Sequence, residues 1–381
     1  MKILKGFKFL NPIYQMFFIS TLISCFFTIY LIAHFEIETL FSVMVSSVTL
    51  VLAIIYLKYF AAYPLKWKKG EIFLIILTFI TVFHLPAHFV SAGRICYRRK
   101  KKDDLLIKID KFILGWLVKD GKISLWIDNN DYIGPHTTIG QFINNSLQIF
   151  YFFYYLIPYI SMHFLCLLNC LREIIFRYKN KGAISSSYKK TWNTTLFIFS
   201  VYILTCVFVF FVNTLVPATS PRKHLKNEFV HSLSLTGFGK YLNKKSKDEK
   251  SANSFPSGHV AEILSIGLSY VLAGNHILGG FVIFFSFLIA SATLFLRYHY
   301  FCDILAAIVC SVVAVMINYF FGYRIYLKKI RRKSLKAKDL NNSLGIINVN
   351  MNMNLSQKEG KSDSGSKNEQ KHQELIEEKD N

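Results

Sequence analysis

A short motif at residues 255–259 carries the residue types from which anion sites are built. It reads Phe-Pro-Ser-Gly-His and opens an apolar run. Ser257 is a favoured helix N-cap, and Gly258 lets the backbone approach a ligand closely. A helix that begins here would direct free backbone N–H groups at an anion, with His259 on its first turn. The motif alone fits an ordinary capped membrane helix equally well.

A second cluster lies at residues 297–303, which read Arg-Tyr-His-Tyr-Phe-Cys-Asp. His299 and Asp303 are four residues apart, so on a helix they share one face and can touch. A carboxylate that accepts a hydrogen bond from one imidazole nitrogen leaves the other nitrogen as a nucleophile or base. A His–Asp pair that only satisfies itself at a membrane boundary is the alternative that this spacing leaves open.

The composition indicates which elements position these two clusters. Hydrophobic residues make up 52% of the chain and charged residues 18%, whereas an average soluble domain carries about 25% charge. Eight apolar segments approach the roughly 20 residues that a transmembrane helix needs, and all 45 Lys and Arg lie outside them. The predicted spans are 13–33, 41–57, 72–92, 147–170, 194–216, 259–272, 277–296 and 303–322.

Basic residues separate the apolar segments. The net charge is +22, but these side chains lie between predicted spans, where they face lipid headgroups, so nucleic acid is not expected as a partner. Their distribution favours a cytoplasmic N-terminus only slightly, and the oligomeric state is left open. His84 and His88 lie on either side of Pro86 without further ligands nearby in the sequence, so no metal site is predicted.

Order along the chain brings the two clusters together. Two predicted spans separate His259 from His299, so both histidines return to the same membrane face. The loop 217–258 opens on that face and carries Arg222 and Lys223. The Arg222 guanidinium suits phosphate oxygens, and Lys223 adds a second charge. Groups of these types are the ones that phosphoryl transfer requires, because positioning and charge neutralisation account for most of the catalysis in that reaction.

Three motifs in this order carry a family resemblance. Pro-Arg at 221–222, Pro-Ser-Gly-His at 256–259 and Arg-x-His-x-x-x-Asp at 297–303 resemble the type 2 phosphatidic acid phosphatase superfamily. The His-Tyr-x-x-Asp form is similar to the branch that holds inositol phosphorylceramide synthase and sphingomyelin synthase. Asp110 to Gly115 and Tyr151 to Tyr155 also resemble that branch, and the resemblance covers roughly 105–323.

The resemblance implies a role for each motif residue. It implies that His299 attacks phosphorus and forms a phosphohistidine, that Asp303 orients His299, and that His259 is the acid and base. The implied phosphate ligands are Arg222, Ser257 and the backbone of Gly258. It implies no metal and no cofactor.

Two positions depart from the phosphatase pattern. Leu215 stands where the simple phosphatases carry a Lys, and Thr293 stands where they carry an Arg. Lys223 and Arg297 are the candidate phosphate ligands that replace these cations. Both departures favour the transferase branch. Glu262 lies one turn after His259, where it could hydrogen-bond to His259 and raise its pKa; the interpretation as a residue at the end of a span is favoured.

We therefore expect an all-helical polytopic membrane bundle. Its parts are two N-terminal spans (1–70), a six-span catalytic core (71–323) and a tail that is basic and then disordered (324–381). Residues 104–127 are expected to form a helix lying in the membrane interface. The aromatic run from Phe150 to Tyr155 is expected to pack between helices or to face lipid.

Two activities fit this expectation. A lipid phosphatase would pass the phosphoryl group to water. A sphingolipid synthase-like transferase, which the departures favour, would pass a phospho-headgroup from a phospholipid donor to a lipid hydroxyl such as that of ceramide. A non-catalytic membrane scaffold is the third hypothesis. The expected location is the ER, the Golgi or the plasma membrane, with the active site on the lumenal or exoplasmic face.

Overall fold

A computed structural model describes the following residues of the chain: 12–33, 51, 55, 99–118, 120–154, 156–160, 175, 186–233, 235, 237, 240, 253–332 and 335. The predicted span 72–92, with His84 and His88, and nearly all of the span 41–57 lie outside the described residues.

The chain divides into two compact units, Met1–Tyr326 and Leu327–Asn381. Most of the second unit lies outside the described residues. The finer division into 1–70, 71–323 and 324–381 stays a prediction.

The described residues fold into helices joined by turns. In chain order these are α1 (Pro12–Ala33), α2 (Asp103–Leu114), α3 (Ile123–Asp128), α4 (Thr138–Phe153), α5 (Ser186–Leu215), α6 (Pro221–His224), α7 (Gly258–Leu272), α8 (His276–Phe295) and α9 (Phe301–Asn318). One helical turn (Ile157–Tyr159) follows α4, and a π-helix (Tyr319–Tyr323) follows α9. Within these segments, strand-like pairing is limited to an isolated bridge between Ala218 and Asn253. The predicted all-α class is confirmed for this part of the chain.

Three helices in the described part of the chain are long and apolar enough to cross a membrane. They are Asn193–Leu215, His276–Phe295 and Phe301–Arg332, while Gly258–Leu272 is apolar but shorter. Each begins within two residues of one of the last four predicted spans. The membrane-helix class is therefore confirmed, and the count of six core spans plus two stays a prediction.

Helix α4 begins at Thr138, whereas the sequence predicted a span only from residue 147. Thr137 caps the helix, because its Oγ1 accepts the N–H of Gly140 at 2.9 Å. The polar residues of this helix include Asn144 and Gln148, whose side chains are buried within the protein. Hydropathy alone therefore placed the start of this helix too late.

Helix α7 packs against α5, α8 and α9. Its contact with α8 depends on Gly267 and on Gly279 across from it. A Cβ on Gly267 would lie 2.8 Å from the side chain of Ile283, and one on Gly279 would lie 2.8 Å from the backbone nitrogen of Val271. Because neither position has room for a side chain, glycine is what lets the two backbones approach this closely.

Helix α1 is attached to the other helices by polar contacts. It packs against α5, where the hydroxyl oxygens of Ser20 and Ser200 lie 3.1 Å apart. Ser200 also hydrogen-bonds the side chain of Asn318 on α9. A hydrogen bond between buried side chains of this kind contributes about 1 kcal/mol. These bonds connect a helix outside the range of the family resemblance to the helices that carry the candidate site.

Residues 104–127 form two helices, α2 and α3, where the sequence predicted one. Between them Gly121 has a φ of 68°, and a Cβ there would lie 2.2 Å from the backbone nitrogen of Lys111. The chain turns here because glycine permits this conformation. The buried side of α2 carries Asp103, Leu106, Asp110 and Leu114. Its position in the membrane interface stays a prediction.

Candidate active site

His299 and Asp303 form a buried pair at the start of α9. His299 Nδ1 lies 3.1 Å from Asp303 Oδ2, and both side chains are buried. The same carboxylate oxygen accepts the N–H of Tyr300 at 2.9 Å and the hydroxyl of Ser254 at 2.6 Å. Three donors fix the carboxylate, and the carboxylate in turn fixes the imidazole. With the proton on Nδ1, Nε2 carries the lone pair.

A tight turn between α8 and α9 presents His299. The carbonyl of Thr293 accepts the N–H groups of Tyr298 at 2.8 Å and His299 at 3.1 Å. Arg297 takes a left-handed backbone conformation with a φ of 62°, which costs a non-glycine residue free energy. Contacts of its side chain, described below, hold it there.

His259 and His299 meet as the order of the motifs predicted. Their ring centroids lie 6.2 Å apart, with planes inclined by 59°. His259 is the second residue of α7, and the N–H of Ser257 donates to the carbonyl of Asp303 at 3.1 Å. This bond joins the start of α7 to the start of α9. The two imidazoles therefore border one site.

Ser257 and Gly258 lie where the motif placed them, at the N-terminus of α7. Ser257 is fully buried, and its hydroxyl has no hydrogen-bond partner among the described residues. Ser257 makes no side-chain cap at this end of α7, and a helix N-terminus is a position at which anions bind. The role of both residues as phosphate ligands stays a prediction.

Arg222 and Lys223 lie on the short helix α6. The backbone N–H of Arg222 donates to the carbonyl of Arg297 at 3.0 Å, which joins α6 to the turn that precedes His299. The guanidinium carbon of Arg222 lies 6.0 Å from the ring centroid of Tyr298. Arg222 is thus brought to the His299 side of the site, and its role and that of Lys223 as phosphate ligands stay predictions.

Arg297 makes contacts that the sequence did not indicate. Its Nη2 donates to Asp128 at 2.6 Å and to the carbonyl of His231 at 3.0 Å. The guanidinium carbon also lies 4.0 Å from the ring centroid of Phe229. Burial lowers the pKa of Arg297, whereas the Asp128 carboxylate raises it. These contacts give Arg297 a structural role in the turn before His299, and phosphate binding by this residue stays a prediction.

Two tyrosines near the end of α4 contact His259. The Tyr151 hydroxyl lies 3.0 Å from His259 Nε2, and the two rings stack with centroids 4.7 Å apart. The Tyr154 ring centroid lies 4.1 Å from that of His259. Phe150 and Phe153 pack against α8 as predicted, with Phe285 as their partner. Residues of the aromatic run thus have two different roles: Tyr151 and Tyr154 belong to the site, whereas Phe150 and Phe153 pack between helices.

Glu262 is buried at the fifth position of α7. Its carboxylate accepts the hydroxyl of Tyr154 at 2.7 Å, and the side chains of Tyr202 and Cys206 on α5 also hydrogen-bond to it. Glu262 thus lies near the start of the predicted span, as interpreted, but its carboxylate is buried and hydrogen-bonded within the protein. One turn of helix separates it from His259, but the contact between them runs through Tyr154.

Asp110 of α2 caps the helix that carries Asp303. Its carboxylate accepts the N–H groups of Phe301 at 2.9 Å and Cys302 at 2.7 Å, which are the first residues of α9. A carboxylate at a helix N-terminus also interacts favourably with the helix dipole. Burial raises the pKa of Asp110 to about 6, and the bonds to Cys302 and Phe301 oppose this rise.

Asp103, two turns earlier on α2, joins two loops of the site. Its Oδ1 accepts the N–H and the hydroxyl of Thr219, each at 2.9 Å, and the hydroxyl of Tyr300 at 3.1 Å. Thr219 precedes α6, and Tyr300 precedes α9. Helix α2 therefore connects the loop that carries Arg222 to the turn that carries His299.

The site has the groups needed for nucleophilic catalysis with acid–base assistance. A carboxylate-oriented imidazole supplies a nucleophile, and a second imidazole on the same site supplies a proton donor and acceptor. A helix N-terminus and an arginine lie close by and provide positive potential for an anionic substrate.

Comparisons with known proteins agree with this chemistry. Residues 186–317 match the family model described as the PAP2 superfamily. A PA-phosphatase related-family protein of Dictyostelium discoideum is 31% identical over 268 residues, which are 66% of this chain and 47% of that protein. The chain thus spans about half the length of the curated relative that it matches.

No solved structure matches the chain with significance. The two sequence matches support a phosphatase-type enzyme, whereas the sphingolipid synthase branch is not confirmed. The matched segment includes His259, His299 and Asp303. Residues 186–317 are thus similar to the PAP2 superfamily.

Proposed function

We propose that this chain is a membrane-embedded enzyme that removes the phosphoryl group from a lipid phosphoester through a phosphohistidine on His299. The observation that carries the proposal is the buried His299–Asp303 pair, with the ring centroid of His259 6.2 Å from that of His299. Two imidazoles at this separation reach opposite sides of one tetrahedral phosphoryl group.

In the first step, Nε2 of His299 attacks phosphorus and the bond from phosphorus to the lipid oxygen breaks. Protonated His259 gives its proton to that oxygen, so the lipid leaves as an alcohol. Asp303 stabilises the positive charge that develops on His299. In the second step, neutral His259 takes a proton from water, and the resulting oxygen nucleophile attacks the phosphohistidine. Inorganic phosphate and the original protonation states result.

Positive groups stabilise the charge on the phosphoryl oxygens during both steps. The N–H groups at the start of α7, the Ser257 hydroxyl and the Arg222 guanidinium are the proposed ligands, with Lys223 as a further cation. An electrostatic donor of this kind typically contributes about 100- to 1,000-fold in turnover. Arg297 contributes indirectly, by holding the turn that presents His299.

The second candidate function is transfer of a phospho-headgroup to a lipid hydroxyl. Its first step uses the same two histidines, with His299 as the nucleophile and His259 as the acid. When the donor is a phospholipid, the leaving group is diacylglycerol. The specific observation in its favour is that Tyr151 and Tyr154 pack on His259, where they restrict the access of water to the base. Neither Leu215, which is exposed, nor Thr293, which is buried, supplies the cation found in simple phosphatases.

A single assay separates these functions. Purified protein in lipid nanodiscs is incubated with phosphatidic acid, or with labelled ceramide and either phosphatidylinositol or phosphatidylcholine. Release of phosphate without a new sphingolipid supports the phosphatase, and a labelled sphingolipid together with diacylglycerol supports the transferase. Absence of both products would refute the enzyme and support a membrane scaffold.

The His299→Ala variant tests the nucleophile. We expect turnover to be abolished while the protein still elutes as a folded species, because the side chain accepts phosphorus directly. His276→Ala is the matched control, since His276 is exposed at the opposite end of α8 and should leave activity unchanged. Full activity in His299→Ala would overturn the mechanism.

We also propose that the site faces the lumen or the cell exterior, in the ER, the Golgi or the plasma membrane. The support is the slight excess of basic residues on the predicted cytoplasmic side. An introduced cysteine at the exposed Tyr132 position should react with a membrane-impermeant thiol reagent only from that face. Labelling from the cytoplasmic face alone would reverse the orientation.

A further inference from the structure

The two candidate catalytic histidines are held in different ways. His299 is held by the Asp303 carboxylate. The groups described around His259 are aromatic, and they come from α4 and the residue that follows it. An acid–base residue needs a fixed ring orientation as much as a nucleophile does. Whatever fixes the ring of His259 is therefore part of the machinery of the reaction.

Tyr151 contacts His259 through both its ring and its hydroxyl. The ring stacks on His259 on one side, and on Tyr298 on the other with centroids 4.8 Å apart. Three stacked rings therefore run from Tyr298 through Tyr151 to His259, and the Arg222 guanidinium carbon lies 6.0 Å from the Tyr298 ring centroid. Within this stack, the Tyr151 hydroxyl lies 3.0 Å from His259 Nε2. A phenol hydroxyl can donate to a neutral imidazole nitrogen or accept from a protonated one.

Glu262 contacts His259 indirectly, through the side chain of Tyr154. An ionisable residue inside a membrane helix is costly and is usually retained for function. Glu262 is only 2% exposed and accepts the Tyr154 hydroxyl at 2.7 Å. That bond holds the Tyr154 ring in place, 4.1 Å from the ring of His259. The carboxylate thus reaches the imidazole through an aromatic ring.

We propose that Tyr151 and Tyr154 are positioning residues for His259, and that Glu262 acts on His259 through Tyr154. This inference rests on the proposed function, in which His259 exchanges the proton with the lipid oxygen. The Tyr151 hydroxyl lies 3.0 Å from Nε2 and 3.5 Å from Nδ1. Its contact with Nε2 persists in both protonation states and holds the ring in one orientation toward the substrate. The Tyr154 ring blocks rotation out of this orientation.

The titratable and charged groups that face His259 come from several elements. Tyr151, Tyr154 and His299 lie against its ring, Glu262 on α7 contacts Tyr154, and Tyr202 and Cys206 on α5 contact Glu262. Tyr298 stacks on Tyr151, and Arg222 on α6 lies near Tyr298. Of these, Tyr151 has its hydroxyl within 3.0 Å of the ring. It is therefore the group whose removal should change the protonation behaviour of His259 most directly.

The Tyr151→Phe variant keeps the stacked ring and removes the hydroxyl. We expect kcat to fall about tenfold, a part of the roughly 100- to 10,000-fold that acid–base catalysis supplies, with KM changed by less than about twofold. We also expect one limb of the kcat/KM profile against pH to move by more than about half a unit, which a purely structural role would not cause. Tyr132→Phe is the matched control, because it removes an exposed tyrosine hydroxyl and should change neither quantity.

Tyr154→Phe and Glu262→Gln test the second contact. If Glu262 acts through the Tyr154 hydroxyl, each single variant lowers kcat by about three- to tenfold, and the double variant lowers it no further than the more impaired single variant. Multiplied effects in the double variant would show that Glu262 acts by another route. Thermal unfolding of each variant is measured alongside, so that a loss of folded protein is not counted as a loss of kcat.

The outcomes distinguish this inference from the proposed function. If His259→Ala and His299→Ala are inactive while Tyr151→Phe keeps the turnover and pH profile of the unmodified protein, the inference is wrong and the proposed function stands. If His259→Ala retains full turnover, the proposed function fails first. A shifted pH limb in Tyr151→Phe with an unchanged limb in Tyr132→Phe supports the inference.

Discussion

Asp128 and Arg297 form an ion pair whose disruption should destabilise the protein strongly. The Asp128 side chain is fully buried and that of Arg297 is 7% exposed, with the two charged groups 2.6 Å apart. The same carboxylate accepts the backbone N–H of Val230 at 2.8 Å and that of His231 at 3.3 Å. The perturbation is Asp128→Asn, which removes the negative charge with almost no change in side-chain volume.

The size of the expected destabilisation follows from the charge of Arg297, which stays buried in the Asp128→Asn variant. Removing one partner of a buried ion pair costs about 3–5 kcal/mol in the free energy of unfolding, because the other charge is left uncompensated. The new amide still accepts one backbone N–H, so the lower part of this range applies, about 3 kcal/mol. For a domain of this size, each kcal/mol lost from the free energy of unfolding lowers Tm by about 2–4 °C. The variant should therefore show a fall in Tm of roughly 6–12 °C.

The assay is thermal unfolding of the protein in detergent or nanodiscs, followed by intrinsic fluorescence. The double variant Asp128→Asn with Arg297→Met removes both charges, and we expect it to recover at least half of the lost Tm. Asp104→Asn is the matched control, since its carboxylate pairs with His224 but is 87% exposed and should change Tm by about 1 °C or less. A fall of under about 2 °C in Asp128→Asn, or a further loss in the double variant, would refute the reasoning.

Three further predictions concern other contacts. Asp303→Asn should lower turnover by about 1,000- to 10,000-fold, because the imidazolium of His299 loses its counter-charge; a loss below about tenfold in a steady-state assay would contradict the assigned role. Because the pKa of Asp110 is raised by burial to about 6 from 3.8, the folded state binds the extra proton, so this group destabilises the fold as pH rises from about 4 to about 7, by up to about 3 kcal/mol. In Asp110→Asn, the plot of Tm against pH should lack the fall that Asp110 causes between about pH 4 and pH 7. Parallel plots for the two proteins would disprove this effect of Asp110. Gly267→Val should lower Tm by several degrees through the clash with Ile283, whereas Gly280→Ala, at an open position on α8, should not.

The residues that touch the phosphoryl group in the proposed mechanism were predictable from the sequence. His299 and Asp303 pair through the spacing of a single helical turn, and an even number of crossings returns His259 to the same face. Both rules are local or topological, and they require no knowledge of how helices pack. The structure brings these three residues together as expected, and their catalytic roles stay predictions until they are assayed.

The residues that hold this group in place were not predictable in the same way. Asp128 is 169 residues from Arg297 in the sequence, Tyr151 is 108 residues from His259, and Asp110 is 191 residues from the first N–H that it caps. No periodicity connects such pairs, because helix rotation and register decide which faces meet. Tyr151 and Phe150 are neighbours of similar type, yet one contacts the acid–base residue and the other contacts α8.

The glycine contact between α7 and α8 has a consequence for how selectivity can change. His259 lies at the start of α7, and His299 follows the end of α8. These two chain ends lie side by side in the helical hairpin, so a rigid hairpin fixes the distance between the reactive nitrogens. Residues 219–222 and the end of α4 border the same site from outside the hairpin. Substitutions there can adapt the enzyme to a new headgroup or acceptor while the reacting atoms keep their spacing.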